Sequence, residues 1–147
     1  MQEEFNSLQE NETWELVPFP SKRKLVQCKW VYRRKVAADG SYIKYKTSFV
    51  SKFSSQVQGV DYIETFAPVE NMDSIMLVLA IVAFKQWEVH HMDVNSAFLH
   101  GDLHEDIYMQ QIEGFIHDPS LVYRLKKSLY GLKQALKNWY AKMDNFC

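Results

Sequence analysis

Cysteine is nearly absent from this 147-residue chain: only Cys28 and Cys147 occur, at a spacing that matches no metal-ligand pattern. A disulfide-stapled secreted fold is thereby disfavoured, and a reduced intracellular compartment, cytoplasmic or nuclear, is expected. Long apolar runs are missing as well. The longest, Ile75 to Phe84, has ten residues, about half of the ~20 that a membrane-spanning helix requires, so no membrane contact is expected. Met1 leads straight into the polar stretch "MQEEFNSLQENE", which lacks the apolar segment of a secretory signal. Internal repeats, low-complexity tracts and linkers are absent too. The length therefore corresponds to one domain, or to a piece of a larger protein.

What is present suffices for a core. Hydrophobic residues make up 47% of the chain and aromatics 14%, which excludes wholesale disorder. The net charge of −1 conceals a block pattern. Lys22 to Lys52 carries ten Lys/Arg and one acid, Asp39; Glu88 to Asp118 carries seven acids and no Lys or Arg; Arg124 to Lys142 carries six Lys/Arg and no acid. Such blocks either act on a charged partner or are solvated faces of neighbouring elements.

Periodicity supplies the elements. Residues 1–10 read as a short amphipathic helix with Phe5 and Leu8 inward, and "TWELVPFP" as a strand stopped by Pro18 and Pro20. From Val26 the period becomes two: Cys28, Trp30 and Tyr32 share one face, and Lys29, Arg33 and Lys35 the other. After the Asp-Gly turn signal in "AADGS", a second strand places Ile43, Tyr45 and Phe49 on one face, with Lys44, Lys46 and Lys52 opposite. The result is a hairpin with a cationic outer face, spaced to suit a phosphate backbone better than a small anion. "NMDSIMLVLAIVAFKQ" predicts a helix capped by Asn71 or Asp73, apolar all round and so expected to be buried on most sides. "WEVHHMDV" predicts a strand with Trp87, Val89, His91 and Asp93 on one face. Two short strands, "DIYMQ" and "LVYRLK", and a helix over 134–146 follow. Without regular βαβ alternation, the pattern implies an α+β domain on a mainly antiparallel sheet with packed helices.

Asp93 is the residue that asks for chemistry. A carboxylate ending a buried strand is one way to present oxygen ligands to Mg2+, which takes one or two carboxylates together with substrate phosphates. A solvated aspartate, or one capping the next turn, is the simpler account of the residue alone. A zinc-stabilised module is disfavoured: His90 and His91 would point to opposite faces of a strand, and no pair of the five histidines has helical metal spacing.

Five collinear blocks carry a resemblance over essentially the whole chain: "MQEEFNSLQENETWELV", "CKWVYRRKVAADGSYIKYK", "GVDYIETFAPV", "MDVNSAFLHGDLHEDIYMQQIEGF" and "VYRLKKSLYGLKQA". In this order and spacing they resemble the N-terminal half of a copia-type retrotransposon reverse transcriptase. The resemblance implies fingers over about residues 12–70 and a partial palm over about 71–147, ending before the family's Tyr-Val-Asp-Asp hairpin. It implies an RNA or DNA template with primer and deoxynucleoside triphosphates as partners. Asp93 corresponds to a metal-binding aspartate, with the Val94 carbonyl as a further ligand of Mg2+ or Mn2+. Phe98 corresponds to the ring that excludes a 2′-hydroxyl, and Tyr130 and Gly131 to the loop against the incoming nucleotide. Lys46 and Lys52 are expected to face triphosphate or template phosphates, with Lys29, Arg33, Lys35 and Lys44 along the nucleic acid.

Two departures stand out. Where the family commonly reads Lys-Ala-Arg-Leu-Val-Ala-Lys-Gly, this chain has "KTSFVSKF", placing Ser48 for arginine and Phe53 for glycine. The family's Pro-Arg after "KQA" is Leu136-Lys137 here. Since the second pair of catalytic carboxylates is not found in this sequence, an incomplete metal site and no polymerisation by the chain alone are expected. The alternative is a non-enzymatic nucleic-acid-binding remnant.

Overall fold

The computed structural model describes residues 1–21, 23–37, 40–68 and 71–146. Lys22 of the first basic block, Asp39 of the turn signal, Val69 of the third block and Cys147 lie outside the described residues, as does the side chain of Ile43.

Helix α1 (Gln2–Glu10) buries Phe5 and Leu8, as its spacing requires, and leads through Thr13 into β1 (Trp14–Pro18). The Thr13 hydroxyl donates to the Leu8 carbonyl at 2.7 Å, closing the helix end. The hairpin forms from β2 (Cys28–Val36) and β3 (Tyr42–Ser51), antiparallel, with Trp30 opposite Phe49 and Arg33 opposite Lys46. A second antiparallel sheet has the order β1–β5–β4, with β4 at Tyr108–Met109 and β5 at Leu121–Leu125. Val26 joins the two sheets: its N–H donates to the Tyr108 carbonyl at 2.8 Å and its carbonyl accepts from the Gln110 N–H at 3.2 Å. The sheets and helices bear out the α+β, antiparallel reading.

The core lies between the sheets and α1. Val26, Ile107, Met109, Ile112 and Tyr123 are almost wholly enclosed. Rings knit its edge, Phe5 stacking on Phe115 at 4.2 Å and Trp14 on Tyr123 at 4.4 Å. The apolar hairpin face packs here through Cys28, Trp30 and Phe49. Burial pushes the Cys28 thiol up to about 11, so it stays neutral, and its Sγ donates to the Gln110 carbonyl at 3.6 Å.

Two expectations need correction. Helix α2 (Met72–Lys85) forms where its sequence predicts, with the Asn71 side chain accepting from the Asp73 N–H at 3.1 Å, but it contains no buried residue. Its apolar surface needs a partner, and the described residues supply none. The stretch from Trp87 to Asp93 is not a strand; it runs without a ladder and is exposed throughout. Alternation alone cannot make a strand, because the backbone groups need a neighbouring strand to bond to. Among the described residues neither sheet pairs with it. Among the described residues no helix is long and apolar enough to cross a membrane.

Candidate nucleic-acid interface

The charge blocks sort themselves in the fold. Asp106 of the acidic block accepts from Arg124 at 2.6 Å, and Asp102 from Lys142 at 3.0 Å, so part of that block is matched by the last basic one. Among the described residues the hairpin block has no such match. Arg33 faces Lys46 and Lys35 faces Lys44 directly across the two strands, and none of the four makes an ion pair among the described residues. Like charges placed opposite each other destabilise a hairpin. Two consecutive facing pairs on one side make a cationic face.

At its inner end this face becomes the wall of a pocket of about 320 Å³. Arg33, Lys46 and Ser48 form one side, Phe98 and Tyr130 another, and Glu4 and Leu8 of α1 close the end. Phe98 stands on a 3-10 turn, Ala97–His100, anchored by buried Leu99. The turn is held against helix α3 (Ala135–Phe146), where Gly101 approaches the backbone of Asn138 and Trp139. Tyr130 stands on the loop before α3. The Ser51 N–H donates to the Tyr130 carbonyl at 2.9 Å, tying that loop to the free edge of β3. The Phe98 and Tyr130 rings meet at 5.6 Å, and Tyr130 keeps 55% of its surface exposed.

Four of the sequence-predicted residues, Arg33, Lys46, Phe98 and Tyr130, are thus brought together, with Gly131 directly behind them. Lys35 and Lys44 continue the cationic face beyond the pocket. Lys29 shares that face but does not line the pocket, and Lys52 instead donates to Gln27 Oε1 at 3.3 Å. Ser48 lines the pocket, so the departure from the family's arginine removes a cation from this wall. Phe53, the other departure, is exposed, while Lys137 pairs with Glu64 at 2.7 Å. Glu4 carries no periodicity signal for the site; only tertiary packing puts it there, its carboxylate accepting from the Phe49 N–H at 3.4 Å.

Asp93 and Val94 are exposed, and Asp93 has no hydrogen bond or ion pair among the described residues. The expectation of a carboxylate on a buried strand is therefore corrected. Asp93 precedes pocket-lining Ser96 by three residues, which bounds their Cα separation at about 11 Å. Among the described residues no three His, Cys, Asp or Glu side chains come together as metal donors. Asp102 and Asp106, acids that follow Asp93 in the same block, are committed to Lys142 and Arg124. The described residues do not by themselves form a divalent-cation site.

Fold and site together define a class: an α+β protein with a cationic ribbon opening into a pocket lined by Arg33, Lys46, Phe98 and Tyr130. A family profile described as reverse transcriptase (RNA-dependent DNA polymerase) matches residues 11–147, and the chain belongs to that family, in its copia-type retrotransposon branch. The Retrovirus-related Pol polyprotein from transposon TNT 1-94 of Nicotiana tabacum is 47% identical over 99% of this chain and 11% of the relative. That from transposon RE1 of Arabidopsis thaliana is 44% identical over 99% of the chain and 10% of the relative. The Transposon Ty1-BL Gag-Pol polyprotein of Saccharomyces cerevisiae is 25% identical over 97% of the chain and 8% of the relative. The chain spans about a tenth of the length of the plant polyproteins it matches. No solved structure matches it.

Proposed function

We propose that the chain forms the fingers, over about residues 12–70, and part of the palm, over about 71–147, of a reverse transcriptase. Its pocket receives the incoming deoxynucleoside triphosphate. Arg33 and Lys46 hold phosphate oxygens, the guanidinium in bidentate fashion. Tyr130 offers a face to the nucleotide, and the Phe98 ring fills the volume a 2′-hydroxyl would need. Lys35, Lys44 and Lys29 follow template or primer phosphates along the ribbon. The observation that carries this reading is the meeting of opposed cations and two contacting rings in one pocket. Asp93, with the Val94 carbonyl, is one donor toward a divalent ion whose other donors these residues do not supply. Nucleotidyl transfer by the chain alone is not expected.

A second reading has its own support. Among the described residues the two strands pair along their length while no other donor joins Asp93, which suits a nucleic-acid-binding remnant without catalysis. One pair of measurements separates the two. Binding to an RNA–DNA primer–template is expected to weaken steeply with salt, and Lys35→Ala with Lys44→Ala to flatten the log–log slope by roughly 1 to 2. Calorimetric titration with a deoxynucleoside triphosphate then decides: binding that Lys46→Ala weakens makes the pocket a nucleotide site, and primer–template binding without triphosphate binding makes the chain a remnant. Salt-insensitive binding would remove both.

A further inference from the structure

Behind the Tyr130 loop lies a chain of buried polar groups that does not line the pocket described above. The Lys133 N–H donates to Gln56 Oε1 at 2.8 Å, Gln56 Nε2 donates to Gln134 Oε1 at 3.0 Å, and Gln134 Nε2 donates to the Asp61 carbonyl at 2.7 Å. The Asp61 carboxylate in turn accepts from the Val57 N–H at 2.7 Å. Gln56, Asp61 and Gln134 are all buried, Gln134 completely. On the outer side Lys133 Nζ donates to the Tyr62 hydroxyl at 2.8 Å and lies over the Tyr62 ring at 4.5 Å. Apart from the Val57–Asp61 bond, which braces the first segment internally, every link joins residues 56–62 to residues 133–134, two irregular segments more than 70 positions apart.

Apolar contacts alone would let two such segments settle in several registers. Directional bonds between buried amides, each of whose nitrogen and oxygen atoms has a partner, select one. The loop so held is gripped on its other side by β3, where Ser51 binds the Tyr130 carbonyl and Gly131 lies too close to the Ser51 carbonyl to admit a side chain. Between these two grips Tyr130 projects with its ring against Phe98.

We propose that Gln56 and Gln134 are positioning residues for Tyr130: the amide relay sets the ring against Phe98 and so shapes the nucleotide pocket without touching it. The functional half of this rests on the proposed pocket; the geometric half does not. The relay brings the segment "QVQGVDY" into the site's machinery although none of its side chains lines the cavity.

The test uses Gln134→Met, which keeps length and volume but removes both bonds, beside Ile107→Val, a core substitution far from the relay in sequence. Two readouts are taken on folded protein: ring-to-ring nuclear Overhauser contacts, and calorimetric binding of a deoxynucleoside triphosphate at low salt. Gln134→Met is expected to lose the Phe98–Tyr130 contact, keep the Trp14–Tyr123 contact, and bind the triphosphate about tenfold more weakly. Ile107→Val is expected to keep both ring contacts and the affinity. If Gln134→Met does not fold, Gln56→Met is read in the same way. An unchanged Phe98–Tyr130 contact overturns the proposal, as does its equal loss in Ile107→Val. A relay-dependent ring contact in a protein that binds no triphosphate supports the positioning and overturns only the nucleotide reading.

Discussion

Replacing Gly131 with alanine is expected to destabilise the chain by at least about 3 kcal/mol. Two effects add. The backbone has φ +92°, a conformation that L side chains resist, and an added Cβ would overlap the Ser51 carbonyl oxygen and lie 2.7 Å from Val50 Cγ1. Neither neighbour can yield cheaply, because Ser51 is held in β3 and Val50 is buried. Gly59 separates the two effects: its φ is +80°, but nothing lies within 4 Å of where its Cβ would be. Gly59→Ala should therefore cost only about 1 kcal/mol, the conformational part. Urea denaturation of the two variants measures the difference. Equal losses would show that the loop gives way and that the close approach to β3 is not maintained in solution.

Lys46→Glu is expected to change binding and stability in opposite directions. Lys46 faces Arg33 across the hairpin, so the substitution turns a repulsive pair into an attractive one and should raise stability by about 0.2–1 kcal/mol. The same change puts a carboxylate where a phosphate is to sit. A charge-assisted bond contributes about 1.5–3 kcal/mol, so triphosphate affinity should fall at least tenfold, and more than a hundredfold when Arg33→Glu is added. The double variant restores like-charge repulsion and should lose the stability gained. Thermal unfolding and titration calorimetry read the two effects on the same samples. A fall in both properties for Lys46→Glu would make Lys46 a structural cation rather than a binding one.

How much of this was legible in the sequence follows from what each signal encodes. Period two in Cys28–Val36 fixed which side chains share a face, because alternation and antiparallel pairing leave a single core-facing register; Arg33 and Lys46 had to end on the same side. The Asn71 cap and the run after it located α2 to within a residue or two. Its surroundings were another matter. Helical pattern reports which residues seek burial, not whether a partner is in reach, and α2 remains uncovered. The same limit applies to Trp87–Asp93, whose alternation is real but whose backbone meets no strand, leaving Asp93 exposed. Phe98 and Tyr130 lie 32 positions apart on elements of no shared period, so only the family resemblance paired them before the fold did. Glu4 and the Gln56–Gln134 bond depend wholly on tertiary packing, and no local pattern announces them.

The central claim is that the pocket between the cationic ribbon and the tyrosine loop receives a nucleoside triphosphate. Side-chain nuclear magnetic resonance of the chain at low salt, titrated with a deoxynucleoside triphosphate, tests it most directly. Shifts confined to the Phe98 and Tyr130 rings, the Arg33 guanidinium and the Lys46 ammonium, with Trp14 and Tyr123 unmoved, are the predicted result. Saturable shifts centred elsewhere, or none at millimolar ligand, would contradict it.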